Sequence, residues 1–246
     1  MLSKTQSKYI RSLALQKFRE EKQSYLAEGE KIVAEWLQSD EKIEYIVGLE
    51  DWITLQAPLI RKHPEALLIK VTEDELKQIS TLQQPNKALL VVKRQPQKPL
   101  IHINDWCLAL DGIRDPGNMG TILRIADWFG ISYVFCSPDC VDALSPKVVQ
   151  AAMGAHLRVT VYETDLPALI KSSSLPAYAA VLGGDNVYQL NAPEKGIIII
   201  GNEAKGISKE IIDLAKYNIT IPRLGGAESL NAGVSAGILC ALLLGK

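Results

Sequence analysis

Short apolar runs alternate with stretches of helical spacing along most of the chain. Residues 3–39 mix polar and apolar positions in a way that predicts helix. A strand is expected at Ile43 to Val47, a helix near 51–62, and a second strand at Ala66 to Val71. Thr72-Glu73-Asp74-Glu75 has capping-box spacing, so a helix starts there and runs to about Ser80. Ala88 to Val92 reads as strand. Residues 94–99, RQPQKP, interrupt the pattern; proline cannot donate to a ladder and restricts the residue before it.

Alternation then resumes. Strands are expected at Cys107 to Leu110, Ser132 to Cys136, Arg158 to Val161, Ala177 to Val181, Ile197 to Ile200 and near Ile219. Helices are expected from about Met119 to Phe129 and from Asn231 to the end. Ile197 to Ile200 is apolar throughout, as befits a parallel strand buried on both faces. The fold class is therefore α/β in both parts. The expected division is a domain over 1–94, a linker over 95–104 and a second domain over 105–246.

Composition narrows the class. Of 246 residues, 47% are hydrophobic and 22% charged, which describes a folded chain and not a disordered one. The formal net charge of −1 gives no global signal for nucleic acid. Locally there is one: residues 1–99 hold 16 Lys and Arg against 14 Asp and Glu, the remainder 11 against 14. Lys4, Lys8, Arg11, Lys17, Arg19 and Lys22 crowd the start, which favours the first domain for RNA contact, although a charged helix face is often merely solvated. Four scattered cysteines form no disulfide framework. Cys136 and Cys140 lack a second ligand pair at zinc spacing, so no metal is expected. The charged N-terminus is no secretory signal and Ile238 to Gly245 is too short to span a bilayer, so the expectation is a cytoplasmic protein without a membrane partner.

Three glycine-containing loops follow strands in the second half: Asp115 to Gly120, Gly201 to Gly206 and Pro222 to Gly226. Ligands of open α/β sheets bind at the carboxyl ends of strands, where such loops lie. The dinucleotide fingerprint, the P-loop and the nucleophile elbow are all absent, which weakens an oxidoreductase, an ATPase and a serine hydrolase alike.

Taken together, the loops carry a resemblance. LDGIRDPGNMGTILRIADWFGI (Leu110 to Ile131) resembles the first motif of the SpoU/TrmH branch of the SPOUT RNA methyltransferases, with Asn118 and Arg124 at its marked positions. IIIIGNEAKGIS (Ile197 to Ser208) resembles the second, with Gly201 and Glu203. ITIPRLGGAESLNAGVSAG (Ile219 to Gly237) resembles the third, with Ile221, Pro222, Gly225, Ser229, Leu230 and Asn231. Residues 1–95 are more loosely similar to the ribosomal-protein-like substrate-binding domain that precedes many of these enzymes.

The resemblance implies a parallel sheet with helices on both faces, a deep trefoil knot, S-adenosylmethionine as methyl donor, a homodimer and methylation of an RNA ribose 2′-hydroxyl. Ribosomal RNA is favoured by the long N-terminal domain. It implies catalytic-site roles for Asn118, Arg124, Glu203, Ser229 and Asn231. It implies cofactor contacts for Leu182, Gly183, Gly201, Ile221, Leu230 and Asn231. Arg124 would be either the general base or a group that positions phosphate; a guanidinium keeps its proton at neutral pH, which favours positioning. Arg223 stands where the family often has an apolar residue and is read as a further RNA contact. Transfer RNA as substrate, or a non-catalytic RNA-binding ribosome-assembly factor, remain the alternatives.

Overall fold

The structure, a computed structural model, describes residues 2–96, 103–190 and 194–245. Residues 97–102 of the expected linker lie outside them. The chain divides into two compact units: Met1–Gln97 with Leu144–Leu157, and Lys98–Ala143 with Arg158–Lys246.

The first unit opens with α1 (Lys4–Ser12), α2 (Gln16–Lys22), β1 (Ser24–Glu28) and α3 (Glu30–Gln38). Next come β2 (Ile43–Gly48), α4 (Glu50–Leu55), α5 (Ala57–Ile60), β3 (Leu67–Lys70), α6 (Glu73–Ile79) and β4 (Ala88–Lys93). The strands form one sheet in the order β1-β4-β2-β3. Both of its faces are covered, which the two-residue period of β4 makes visible. Leu90 and Val92 point to a core with Trp36, Leu37 and Ile46, while Leu89 and Val91 point to another with Ile10, Leu13 and Leu76.

Residues 3–39 are not the continuous helix their pattern predicts. The chain breaks at Gln23, which adopts a left-handed φ of 48° and ends α2, and β1 follows directly. All five residues of β1 are buried, and it pairs antiparallel with β4. A second difference concerns residues 144–157, which the sequence assigns to the later domain. Here Val149 of α8 (Pro146–Ala152), with Leu144, Met153 and Leu157, packs into the Trp36 core of the first unit.

The second unit contains β5 (Cys107–Asp111), α7 (Pro116–Trp128), β6 (Tyr133–Cys136), β7 (Thr160–Glu163) and α9 (Leu166–Ser172). It ends with β8 (Ala177–Asn186), β9 (Ile197–Gly201), α10 (Lys209–Leu214), β10 (Tyr217–Thr220) and α11 (Ala232–Leu244). Its six strands are all parallel, in the order β10-β8-β9-β5-β6-β7. Ile197 to Ile200 of β9 are buried on both faces, as their unbroken apolar run predicts. Ile197 and Ile199 join a core with Phe135, Tyr162 and Ile211. Helix α11 packs against α7 and β9. No helix among the described residues is long and apolar enough to cross a membrane.

The chain order runs β5-β6-β7 outward in one direction and then returns to β8 on the far side of β9. The sheet thus has a switch point between β5 and β9, and the loops beyond these two strands are where such folds gather ligands.

Candidate active site

Helix α7 begins three residues before the expected Met119. The side chain of Asp115 caps it, accepting from the backbone N–H of Asn118 at 2.8 Å, and Pro116 occupies the first turn, where its missing N–H costs nothing. Asn118 therefore lies inside the helix and is only 9% exposed.

Strand β9 ends at Gly201, and Asn202 and Gly206 then close a tight loop with reciprocal backbone bonds of 3.0 and 2.9 Å. A Cβ on Gly201 would collide with the backbone of Gly206 and Ile207, so the loop closes this tightly only over glycine. The Asn202 side chain fixes the loop from inside. Its Nδ2 donates to the Gly112 carbonyl at 2.6 Å, and its Oδ1 accepts from the amides of Ala204 and Lys205 at 3.0 Å each. Glu203 is thereby held out at the crest of the loop.

Three motifs meet through side chains. Asn118 Nδ2 donates to Glu203 Oε1 at 2.7 Å, and Asn231 Nδ2 donates to Asn118 Oδ1 at 2.7 Å. Asn231 Oδ1 accepts from the amides of Gly233 at 2.9 Å and Val234 at 3.2 Å, which makes Asn231 the N-cap of α11. The series has one consistent direction. An ionised carboxylate can only accept, so Asn118 turns its amide nitrogen to Glu203 and its oxygen to Asn231. Asn231 must then present its own oxygen to the helix amides, which are donors. A flip of the Asn118 amide would break two bonds and a flip of the Asn231 amide three.

Beside this relay lies a cavity of about 730 Å³, within the roughly 300–1,000 Å³ usual for small-molecule sites. Leu182, Gly201, Glu203, Ile221, Ser229 and Leu230 line it. One wall comes from an irregularity in β8. Asn218 of β10 pairs with Ala179, but the next residue, Ile219, pairs with Asp185, so residues 180–184 leave the ladder as a detour. Ala180, Val181 and Leu182 on that detour face the cavity. Gly183 adopts a φ of +94° there, and Gly184 passes so near Asn218 that a Cβ would meet its backbone.

Other expected residues lie elsewhere. Gly183, Asn118 and Asn231 stand outside the lining, the last two connected to it through Glu203. Arg124 is exposed on α7, with no hydrogen bond or ion pair among the described residues. Arg223 lines the cavity and donates from Nη1 to the Ala227 carbonyl at 3.3 Å, steadying the exposed stretch of residues 223–230. In the first unit Lys4, Lys8, Arg11 and Lys17 are exposed. Arg19 is a correction. It is 5% exposed, and its Nη1 donates to the carbonyls of Leu13 at 2.8 Å and Ala14 at 2.9 Å. Those carbonyls end α1 and need a donor, so Arg19 holds a corner and is withdrawn from the expected RNA contacts.

Sequence reasoning passed over Asn202, although it lies within the quoted second motif. It also passed over Asp111, whose Oδ2 accepts from the Ser208 amide at 2.7 Å and secures the exit of the same loop. Below the first-motif loop, Ser137 Oγ accepts from the Gly112 amide at 2.9 Å and donates to Asp139 at 2.6 Å. That bond, with Arg114 beside it, holds the Asp139 carboxyl below its ordinary range. A hydrogen bond from Cys136, helped by the amides of Ile113 and Gly112, brings the Cys140 thiol down to about 7 against the opposing effect of burial.

Comparison with known proteins agrees with this architecture. Residues 105–241 match the SpoU rRNA Methylase family, and residues 4–89 match the MRM3-like substrate binding domain. The chain is 28% identical over 233 residues to the 23S rRNA (guanosine(2553)-2′-O)-methyltransferase RlmP of Bacillus subtilis, covering 93% of this chain and 92% of that protein. A TrmH-family structure from Porphyromonas gingivalis superposes with a TM-score of 0.86 at 36% identity, covering 99% of this chain and 98% of the other. An AdoMet-bound rRNA methyltransferase from Sinorhizobium meliloti gives a TM-score of 0.86 at 27% identity over 99% of this chain and 96% of its own. With three motif loops gathered at one end of a six-stranded parallel sheet, and a family match over more than half its length, the chain belongs to the SpoU rRNA methylase family.

Proposed function

We propose that this protein transfers a methyl group from S-adenosylmethionine to a ribose 2′-hydroxyl of ribosomal RNA. The observation that carries the reading is the relay from Glu203 through Asn118 to Asn231, which ties all three motif loops together beside the cavity. The cavity suits the cofactor: its lining combines apolar Leu182, Ile221 and Leu230 with backbone brought close at Gly201. When bound, S-adenosylmethionine supplies a sulfonium-activated methyl.

The work left to the chain is positioning. Holding two reacting groups in line replaces a bimolecular encounter, which can contribute roughly 7–11 kcal/mol. Leu182, Gly201, Ile221 and Leu230 hold the donor, while Asn118 and Glu203 fix the loop edge where the ribose enters. Arg124, free of protein partners among the described residues, offers a bidentate contact to RNA phosphate. Ser229 and Arg223 face the same mouth. Only RNA presents the 2′-hydroxyl.

The division into an RNA-holding domain over 1–94 and a methyltransferase domain over 105–246 belongs to this reading, as do the deep trefoil knot, the homodimer and a cytoplasmic setting. Trp128, 84% exposed on α7, supplies an apolar surface for a second copy. The test is transfer of labelled methyl to ribosomal RNA from cells lacking the enzyme, followed by mapping of 2′-O-methyl positions. Label on a base, or none on RNA, sinks the proposal.

A further inference from the structure

The described residues hold a second concavity, in the first unit and far along the chain from the methylase motifs. It is an open groove of about 530 Å³ formed where α1, α2 and α6 converge. Lys4, Lys8 and Arg11 line it, spaced so that all three lie on one face of α1. None of the three makes an ion pair among the described residues, whereas Lys22, Lys70, Lys87 and Lys93 of the same unit each have a carboxylate within 3.5 Å. Among the described residues, the one acid lining the groove is Glu75, and both of its oxygens are already occupied by backbone. Oε2 accepts from the Thr72 amide at 2.9 Å and Oε1 from the Leu2 amide at 3.4 Å.

Phe18, partly exposed on α2, lines the same groove as the cations. The inward-turned Arg19 is what places it there. Its two bonds to the Leu13 and Ala14 carbonyls hold the corner between α1 and α2, so the ring and the cationic face of α1 keep a fixed relation. Cations that track a phosphate backbone, and an aromatic face that any base can stack on, are the two components of single-stranded nucleic-acid binding.

We propose that this groove binds an unpaired RNA segment, with Lys4, Lys8 and Arg11 on its phosphates and one base stacked on Phe18. The proposal rests on the RNA-methyltransferase reading and adds where, and in which conformation, the first unit holds its RNA. A purely electrostatic face would accept duplex and single strand alike; Phe18 gives the groove its preference for an unstacked base.

The test uses the full chain and fluorescence anisotropy with a labelled single-stranded oligouridine of about twelve nucleotides, titrated from about 50 to 200 mM salt. Lys8→Ala combined with Arg11→Ala should weaken binding at least tenfold and reduce the salt slope by about 1.4, near 0.7 for each phosphate no longer neutralised. Phe18→Leu should weaken binding about fivefold or more with the slope unchanged, and Phe18→Tyr should restore it, since stacking carries no counterion release. Blunt duplex RNA should bind parent and Phe18→Leu equally. Unchanged affinity and slope in the Lys8/Arg11 variant overturns the proposal, as does displacement of the RNA by polyglutamate at equal charge concentration. Parent-like binding by Phe18→Leu removes the stacked base. Calorimetry with S-adenosylmethionine separates the two readings. A parent that fails to bind it removes the methyltransferase assignment and leaves the groove result standing. Variants that bind cofactor and RNA as the parent does remove the groove alone.

Discussion

Asn231 donates from Nδ2 to Asn118 Oδ1 at 2.7 Å, joining the first turn of α11 to the first turn of α7 across 113 residues of sequence. Because Asn231 also caps α11, two functions converge on one side chain, and substitutions can separate them. Asn231→Asp keeps an acceptor for the helix amides but loses the donor to Asn118. It should unfold at a temperature closer to the parent than Asn231→Ala, by an amount matching about 1 kcal/mol of capping. Both should lose methyl transfer at least tenfold. Equal thermal midpoints for the two variants would show that the cap contributes nothing.

Asn118→Asp sets a carboxylate against that of Glu203 in a position only 9% exposed. Two carboxylates that close cannot both ionise without penalty, so the pair's affinity for protons rises on folding. A raised folded-state pKa means stability present at low pH and lost as pH rises through it. The variant should therefore lie nearest the parent near pH 4 and fall away toward pH 7, by about 1–3 kcal/mol. Thermal unfolding of both proteins across that range checks this; a difference independent of pH would count against it.

Arg124→Ala should reduce methyl transfer about a hundredfold or more while S-adenosylmethionine binding, read by calorimetry, stays at the parent value. The reasoning is positional: Arg124 is exposed on α7 and does not line the cavity. Arg124→Lys should recover part of the loss, since it keeps the charge but not the planar fork. Turnover by Arg124→Ala at the parent rate would refute its assignment to the active site.

Gly201 and Gly225 both occupy family motif positions, yet the structure treats them differently. A Cβ at Gly201 would strike the Gly206 backbone, while one at Gly225 meets nothing within 4 Å. Gly201→Ala should lower stability by about 1–3 kcal/mol and weaken cofactor binding, because backbone must shift to admit the methyl. Gly225→Ala should match the parent in thermal midpoint. Reversed sensitivities would contradict the loop geometry.

The Cys140 thiol, brought down to about 7 by its hydrogen bonds, should react first among the four cysteines. The Leu110 carbonyl, 3.2 Å from Sγ, pulls the other way by favouring the protonated form. Iodoacetamide labelling followed by mass spectrometry should show Cys140 half-maximal near pH 7. Cys107, Cys136 and Cys240 are buried and should remain unlabelled. Labelling of Cys140 that begins only above about pH 8.5, the ordinary thiol range, would mean the group is not perturbed.

Sequence made the second unit's strands legible because parallel strands buried on both faces, such as Ile197 to Ile200, leave unbroken apolar runs. It hid β1 because the break before it falls at Gln23, a left-handed residue with no glycine to announce it. It misjudged Arg19 because nothing local shows that the carbonyls closing α1 would recruit a guanidinium. It could not place Val149 beside the Trp36 core, since that packing joins residues more than a hundred positions apart. For the site, the resemblance to the family motifs singled out Asn118, Glu203 and Asn231 one by one. Their connection into a directed series depends on three-dimensional proximity, and Asn202, which holds the Glu203 loop, is marked by no spacing at all.

The detour over residues 180–184 has both of its ends anchored to successive residues of one strand, Asn218 and Ile219. Its closure is therefore settled when β10 docks, before any small molecule arrives. A loop ordered only on binding would subtract about 1–2 kcal/mol of backbone entropy per residue from the affinity. Here that loss is charged to folding, so this wall of the cavity stands assembled in the free protein. Backbone amide order parameters over 180–184 should be as high before cofactor is added as after, in contrast to those of the exposed stretch over 223–230.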